Sequence, residues 1–406
     1  LLQQQLASLG RAPSGFSAKL FAAMTNLRGI FSLSVIILAT LTMLVAGGKP
    51  KLPAAKTCRA YVGTYTAKTS SKGIYEFAFD PSTGKMSALE LAGESRDPSW
   101  VLVHPNGKFL YAANEHGKDS TISAFAIDRK SGKLTLLNLV PALGEDPCHL
   151  AFDRTGKFLL TANYTSGNLA VFPILPDGKL GEPTANVTDD GTPGPNKERQ
   201  EGPHAHWVAA SEHNRLVYAA DLGLDKVLVY KFDPSKGTLI AADAARAKPG
   251  TGPRHVAFSR GGGFMYVLGE LDSTVTVFRN DHQQFASVEK VPMLPAGFSG
   301  RNDASEIAIH PSGKFLYAAN RGHDSIVAYA IDPQKGVLTQ VADVLTGGQE
   351  PRHFAIDPTG QFLLAENQNS NTIVEFKIDS ATGKLTPTGQ TLSVPSPICI
   401  SYLALE

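Results

Sequence analysis

The 406-residue chain carries a formal net charge of +1, which leaves no electrostatic footprint for nucleic acid. Apolar residues make up 42% of it, which excludes a disordered chain. With 38 glycines and 26 prolines against only 18% charged residues, the composition favours many short strands and turns, in one large all-β domain or two ordinary ones.

Residues 1–23 precede the first methionine and read as a leader or fragment, expected to be disordered. Residues 24–48 begin M-T-N-L-R-G, continue through an apolar run over 30–46 and end at Gly47 and Gly48. A basic start, an apolar middle and small residues at the end fit a signal peptide or, uncleaved, a signal anchor. This predicts an exported protein, periplasmic or secreted, that meets the membrane only if the segment is retained. If the segment is no signal, the protein is cytoplasmic.

From Cys58 onward a repeat takes over. Residues 59–91 hold strands resembling the last three of a four-strand unit (R-A-Y-V-G-T-Y, I-Y-E-F-A-F-D, K-M-S-A-L-E). Then come copies of one hairpin: D-P-S-W-V-L-V-H-P-N-G-K-F-L-Y-A-A-N (97–114), D-P-C-H-L-A-F-D-R-T-G-K-F-L-L-T-A-N (146–163) and E-P-R-H-F-A-I-D-P-T-G-Q-F-L-L-A-E-N (350–367). Variants of it occupy 202–221, 253–270 and 303–320. Each hairpin is followed by an apolar run, an Asp-containing turn and a last strand, so a unit has four short strands at a spacing typical of propeller blades. After the sixth complete unit, S-P-I-C-I-S-Y-L-A-L supplies a lone strand of the first type.

The expected fold is therefore all-β: a seven-bladed β-propeller over 58–406, four antiparallel strands per blade. The C-terminal strand pairs into the N-terminal blade and closes the ring. Cys58 and Cys399 fall in or beside that shared blade, which raises a disulfide between them as a hypothesis. Neither they nor Cys148 show C-x-x-C spacing.

In a hairpin, the start of the first strand lies beside the end of the second. One mouth of the ring therefore gathers Asn114 and Glu115; His149 and Asn163; His204, His206 and Asp221; Arg254, His255 and Glu270; Asn320 and Arg321; and Arg352, His353, Asn367 and Gln368. Arg254 and Glu270 should be spatial neighbours. The long loops 185–201 and 293–303, the second carrying Arg301, cross the same face as partial lids. Asn114, Asn163 and Asn320 are explained by bonds to loop backbone. Arginines aimed at one funnel instead need anionic partners, which favours a ligand carrying a carboxylate or phosphate.

The segments G-P-R-H-V-A-F…G-E-L-D-S-T-V-T-V-F, P-S-G-K-F-L-Y-A-A-N-R-G-H-D-S-I and E-P-R-H-F-A-I-D-P-T-G-Q-F-L-L-A-E-N-Q resemble the seven-bladed lactonase family, across essentially all of 58–406. That family includes propeller-type 6-phosphogluconolactonases and the fungal carboxymuconate cyclase. The resemblance implies a site without metal or cofactor, with the catalytic histidine, arginine and glutamate falling on His206, Arg254 and Glu270. It places further arginines at Arg321 and Arg352; from their position at the mouth, His204, Arg301 and Gln368 are additional substrate-binding candidates.

Lactone hydrolysis needs an activated water and a stabilised oxyanion. His206 suits the general base, Arg254 the oxyanion, and Glu270 either orients Arg254 or shares the proton transfer. Arg321 and Arg352 would hold the anionic group of a small lactone. No G-x-S-x-G elbow is present to supply a serine nucleophile. The alternatives are a metal-dependent propeller hydrolase using His204 and His206, and a non-catalytic propeller binding a ligand or protein.

Overall fold

Seven antiparallel sheets make up the computed structural model, which describes residues 57–281 and 284–405. The expected leader (1–23) and signal segment (24–48) lie outside the described residues. Blade 1 is assembled from both ends of the chain: Pro397–Ala404 is its inner strand, followed outward by Cys58–Thr64 and Gly73–Asp80. Its outer strand is split into Lys85–Met86 and Glu90–Glu94, both paired with Gly73–Asp80. Blades 2 to 7 are consecutive four-stranded sheets over 98–141, 147–188, 205–246, 253–292, 303–345 and 351–393. Among the described residues the helical content is a single 3-10 turn, Gly117–Asp119, and no helix is long and apolar enough to cross a membrane.

The strands are apolar on both faces because each sheet is covered on both sides. The core is accordingly divided into seven layers, one between each pair of neighbouring blades. A repeated tyrosine ties the layers together. Tyr61, Tyr111, Tyr266 and Tyr317 are fully buried, and each hydroxyl donates to a carbonyl in the next blade: Gly132, Gly178, Gly336 and Gly383 respectively. A buried phenol needs such an acceptor, so the tyrosine of the F-L-Y motif is a blade-to-blade tie. Turn chemistry also repeats. The buried Asp153 and Asp357 carboxylates each accept backbone N–H groups from the hairpin turn that follows them.

The closing strand pairs with Cys58–Thr64 in the register Cys58↔Ala404 to Gly63↔Cys399. That register corrects the disulfide hypothesis. The two cysteines sit at opposite ends of the pairing, roughly 17 Å apart at strand rise, whereas a bridge needs Cα atoms within about 7 Å. They also face different layers: Cys58 packs toward blade 7 and Cys399 toward blade 2, where its Sγ accepts the Val101 N–H at 3.1 Å. All three cysteines are free and buried.

Ring closure sets a first expectation. Burial of Ile398, Ile400 and Leu403 contributes roughly 2 kcal/mol each, a sum comparable with the whole stability of a domain. Deleting 397–406 should therefore abolish the cooperative melting transition and send the chain into aggregates by size-exclusion chromatography, because Cys58–Thr64 becomes an open edge. A monomeric truncation melting like the full chain would contradict this account of closure.

Candidate active site

The polar mouth is built by a register slip repeated in every blade. The inner strand starts in pair with the end of the second strand, then gains a residue: Pro98↔Asn114 is followed by Trp100↔Ala113, and Pro351↔Asn367 by His353↔Glu366. The residues that open these bulges are Ile398, Ser99, Cys148, His206, Arg254, Ser305 and Arg352, in blade order. A β-bulge re-aims its side chain out of the sheet alternation. Ser99, Cys148, Arg254, Arg352 and Ile398 accordingly line a small cavity at the channel floor, with Trp100, His255 and His353 from the layer beneath.

A second ring lies above, at the residue that closes or follows the second strand: Tyr65, Glu115, Tyr164, Leu222, Glu270, Arg321 and Gln368. Its backbone is fixed by a recurrent bond. Tyr65, Glu115, Tyr164, Glu270 and Gln368 donate N–H to the carbonyls of Ser396, Asp97, Asp146, Gly252 and Glu350 at 2.8–3.2 Å. The acceptor residue adopts positive φ in each case, +62° at Gly252, where glycine accommodates it without strain.

Glu270 is the hub. Its Oε2 lies 2.9 Å from Arg254 Nε and 3.2 Å from Arg321 Nη2, while Oε1 accepts from Arg199 Nη2 at 2.6 Å. Arg199 also donates to Tyr164 Oη at 3.3 Å and faces Asp303 at 3.5 Å. Arg254 is buried, with Nη1 donating to the Ser305 carbonyl and lying 3.3 Å from His255 Nε2. Arg321 donates to the carbonyls of Asp303 and Ala304. Across the funnel, Arg352 lies over the Tyr65 ring at 5.3 Å and faces Glu115 at 3.9 Å; Tyr65 donates its hydroxyl to Glu115 at 2.8 Å. His206 is buried with Nδ1 3.7 Å from Cys148 Sγ, its ring edge-on to Tyr164 and His255.

These contacts fix the charge states. Burial pushes the Glu270 carboxyl up, but Arg321, Arg254 and Arg199 outweigh it and hold it at about 2. Burial and the neighbouring Arg321 bring Arg254 down to about 10, so it stays charged at neutral pH. Burial, reinforced by Arg254, His255 and Arg352, holds His206 well below the usual imidazole range, and the imidazole is neutral. Burial and Glu115 push the Cys148 thiol up, which leaves it protonated and a poor nucleophile.

The expected Arg254–Glu270 pair is thus present, Arg321 joins it, and Arg352 lines the floor cavity with Arg254, whereas His206 is not part of that lining and stands beside it against Cys148. Other candidates stand differently. His204 has Nδ1 3.0 Å from the Tyr164 carbonyl, Nε2 3.2 Å from Glu201, and its ring stacked on Tyr164, so both nitrogens are already engaged by protein. It does not share a focus with His206, and among the described residues no three potential metal ligands converge. Arg301 is at the rim with its side chain 85% exposed, paired with Asp303. Gln368 occupies the upper ring, half-buried, tied by its backbone. Sequence reasoning did not single out Arg199, Tyr65 or Tyr164. Arg199 lies in the expected lid 185–201, of which Ala185–Thr188 is the outer strand of blade 3 and only 189–201 is loop. The two tyrosines could have been found by position, as the ring-forming residues of blades 1 and 3.

The family model "Lactonase, 7-bladed beta-propeller" matches residues 59–402. The chain is 38% identical over 345 residues to a 6-phosphogluconolactonase of Bacillus subtilis, covering 84% of this chain and 97% of that one. It is 37% identical over 308 residues to a 6-phosphogluconolactonase of Formosa agariphila, covering 72% and 84% respectively. Among solved structures, the periplasmic gluconolactonase of Pseudomonas aeruginosa superposes with a TM-score of 0.82 at 32% identity, covering 86% of this chain and all of that one. Blade count, ring closure and matched span agree: the chain belongs to the seven-bladed β-propeller lactonase family.

Proposed function

We propose that this protein is a lactone hydrolase that opens an acidic or sugar lactone of the 6-phosphogluconolactone type. One observation carries the reading: Arg254 and Arg352 flank a buried neutral imidazole, Arg199 and Arg321 join Arg254 at Glu270, and among the described residues these four arginines pair only with Glu270, Asp303 and Glu115, Asp303 being also claimed by Arg301. The excess positive charge calls for an anion in the funnel. The names of the relatives support the same substrate class.

In this scheme, His206 takes a proton from water as the oxygen attacks the lactone carbonyl carbon. Arg254 stabilises the resulting oxyanion. The tetrahedral intermediate collapses with cleavage of the ring C–O bond, and the imidazolium returns its proton to the leaving ring oxygen. Burial and its cationic neighbours keep His206 a weak base in the free protein. An anionic substrate against Arg254 and Arg352 cancels part of that field and raises its basicity when it is needed. Glu270, a carboxylate at about 2, suits orienting the three arginines rather than moving a proton. Arg352, with Arg321, holds the anionic group.

The wild-type protein should hydrolyse 6-phosphogluconolactone with a KM about tenfold below that for D-glucono-1,5-lactone, the margin expected of charge-assisted hydrogen bonds. The gap should narrow with added salt. Saturable binding of both compounds with no hydrolysis of either would transfer the assignment to a binding propeller.

A further inference from the structure

Beneath the arginines lies a polar layer that the hydrolytic scheme leaves without a role. His255 and His353 directly follow Arg254 and Arg352 on the bulged strands of blades 5 and 7. Blade 6, between them, contributes Glu306 from its own bulge, buried to 7% exposure. A single carboxylate oxygen faces both imidazoles: Glu306 Oε2 accepts a hydrogen bond from His255 Nδ1 at 3.0 Å and lies at ion-pair distance, 3.4 Å, from His353 Nε2. Glu306 Oε1 accepts the Ile307 N–H at 3.0 Å, which fixes the plane of the group.

Both imidazoles thereby acquire defined states. His353 Nδ1 is 2.6 Å from Glu366 Oε2, so each of its nitrogens faces a carboxylate, the pattern of an imidazolium. His255 donates Nδ1–H to Glu306, which leaves the Nε2 lone pair facing Arg254 Nη1 at 3.3 Å. The residue beside Glu306 repeats the linkage through backbone. Ser305 accepts from Arg254 at its carbonyl and donates Oγ to the Pro351 carbonyl at 2.6 Å, next to Arg352. In blades away from the arginines the corresponding places hold Trp100, His149, Trp207 and Cys399, packed largely ring against ring. A carboxylate in such a layer is costly unless paired, and the one placed here sits between the blades whose bulges carry Arg254 and Arg352.

We propose that Glu306 is a positioning residue: through His255 and His353 it yokes the bulges of blades 5 and 7, and so sets the spacing and orientation of Arg254 and Arg352 toward an anionic lactone. The inference rests on the lactone-hydrolase reading for its substrate. Charged and titratable groups facing His353 are Glu306 and Glu366, with Arg254, His255 and His149 close by. Burial lowers its affinity for a proton, but Glu366 and Glu306 outweigh burial and raise it. Rising pH therefore discharges His353 and loosens the yoke.

The test uses full-length Glu306→Gln and, separately, His353→Gln, with kcat and KM for 6-phosphogluconolactone across pH and calorimetric titration with 6-phosphogluconate. Glu306→Gln should raise KM and weaken 6-phosphogluconate binding about tenfold with a smaller change in kcat. It should also move the alkaline limb of the profile to lower pH, because His353 loses one of its two carboxylates. In an Arg352→Lys background the same substitution should add almost nothing, the signature of action through that arginine. Unchanged KM, binding and pH profile in a folded Glu306→Gln protein, or full additivity with Arg352→Lys, would overturn the yoke. If Glu306→Gln does not fold, His353→Gln carries the same KM and binding expectation, and its failure to show them overturns the proposal equally. Should the wild type hydrolyse no lactone, the hydrolase reading falls, while the titrations still decide whether Glu306 governs anion binding.

Discussion

Arg254→Ala should reduce kcat/KM for lactone hydrolysis by about a thousandfold, the scale of losing a principal oxyanion donor from a buried site. The guanidinium has Nε 2.9 Å from Glu270 Oε2, an ion-pair contact without hydrogen-bond geometry, while Nη1 donates to the Ser305 carbonyl and lies 3.3 Å from His255 Nε2; none of these contacts uses Nη2. A group so fixed is pre-organised, and its remaining N–H is aimed by the other contacts rather than by substrate. Arg254→Lys keeps a charge but cannot span Glu270, Ser305 and His255 together, so it should fall between wild type and alanine. The loss should be mainly in kcat, since oxyanion contacts strengthen as the carbonyl becomes tetrahedral. Steady-state assays on both lactones measure this, and Arg254→Ala with wild-type kcat/KM would remove Arg254 from the mechanism.

Glu270→Gln should cost about 3 kcal/mol of stability at neutral pH, the value of holding a buried carboxyl at about 2 instead of its ordinary 4.5. The direction with pH follows from that depression. A carboxylate with a lowered folded-state pKa stabilises the fold above its unfolded value, and the contribution is lost as pH falls toward 2. Urea denaturation should therefore show wild type and Glu270→Gln far apart at neutral pH and converging below about pH 4. The mechanism is specific: the amide leaves Arg199, Arg254 and Arg321 facing one another with no anion between them. Activity should fall with stability, but substrate or phosphate should recover part of the stability by supplying an anion. Equal denaturation midpoints for the two proteins at neutral pH would mean that Glu270 is not the hub of the cluster.

The ring of hairpins was legible because the signal repeats: a residue before proline, an apolar run, a glycine turn and a second run ending in Asn, Asp or Glu. The same rule paired Arg254 with Glu270 across sixteen residues of sequence. It did not reveal which inner-strand residues point into the channel, because a bulge is a property of two strands in register. Arg199 escaped for a different reason. It belongs to no repeat, and only the path of the loop 189–201 brings its guanidinium to Glu270. Tyr65 and Tyr164 carry no charge to attract notice, yet one lies under Arg352 and the other accepts from Arg199. The hypothesis of a disulfide failed at a finer level still, since sharing a blade does not mean sharing a face, and Cys58 and Cys399 lie in different layers.

Blade 1 joins residues 58–94 to residues 397–404, and both parts reach the funnel: Tyr65 beneath Arg352, and Ile398 in the cavity wall. During synthesis, six blades can stack as they emerge, but the seventh sector stays without an inner strand until residues 397–404 leave the ribosome. Bringing the two ends together costs about 5 kcal/mol in loop-closure entropy, and that cost is met only by the final pairing. The wall that holds Arg352 is thus completed in the same event that closes the ring. A nascent or C-terminally clipped chain has most of its sheets but no finished funnel, so competence to bind an anion reports on completion of the whole molecule.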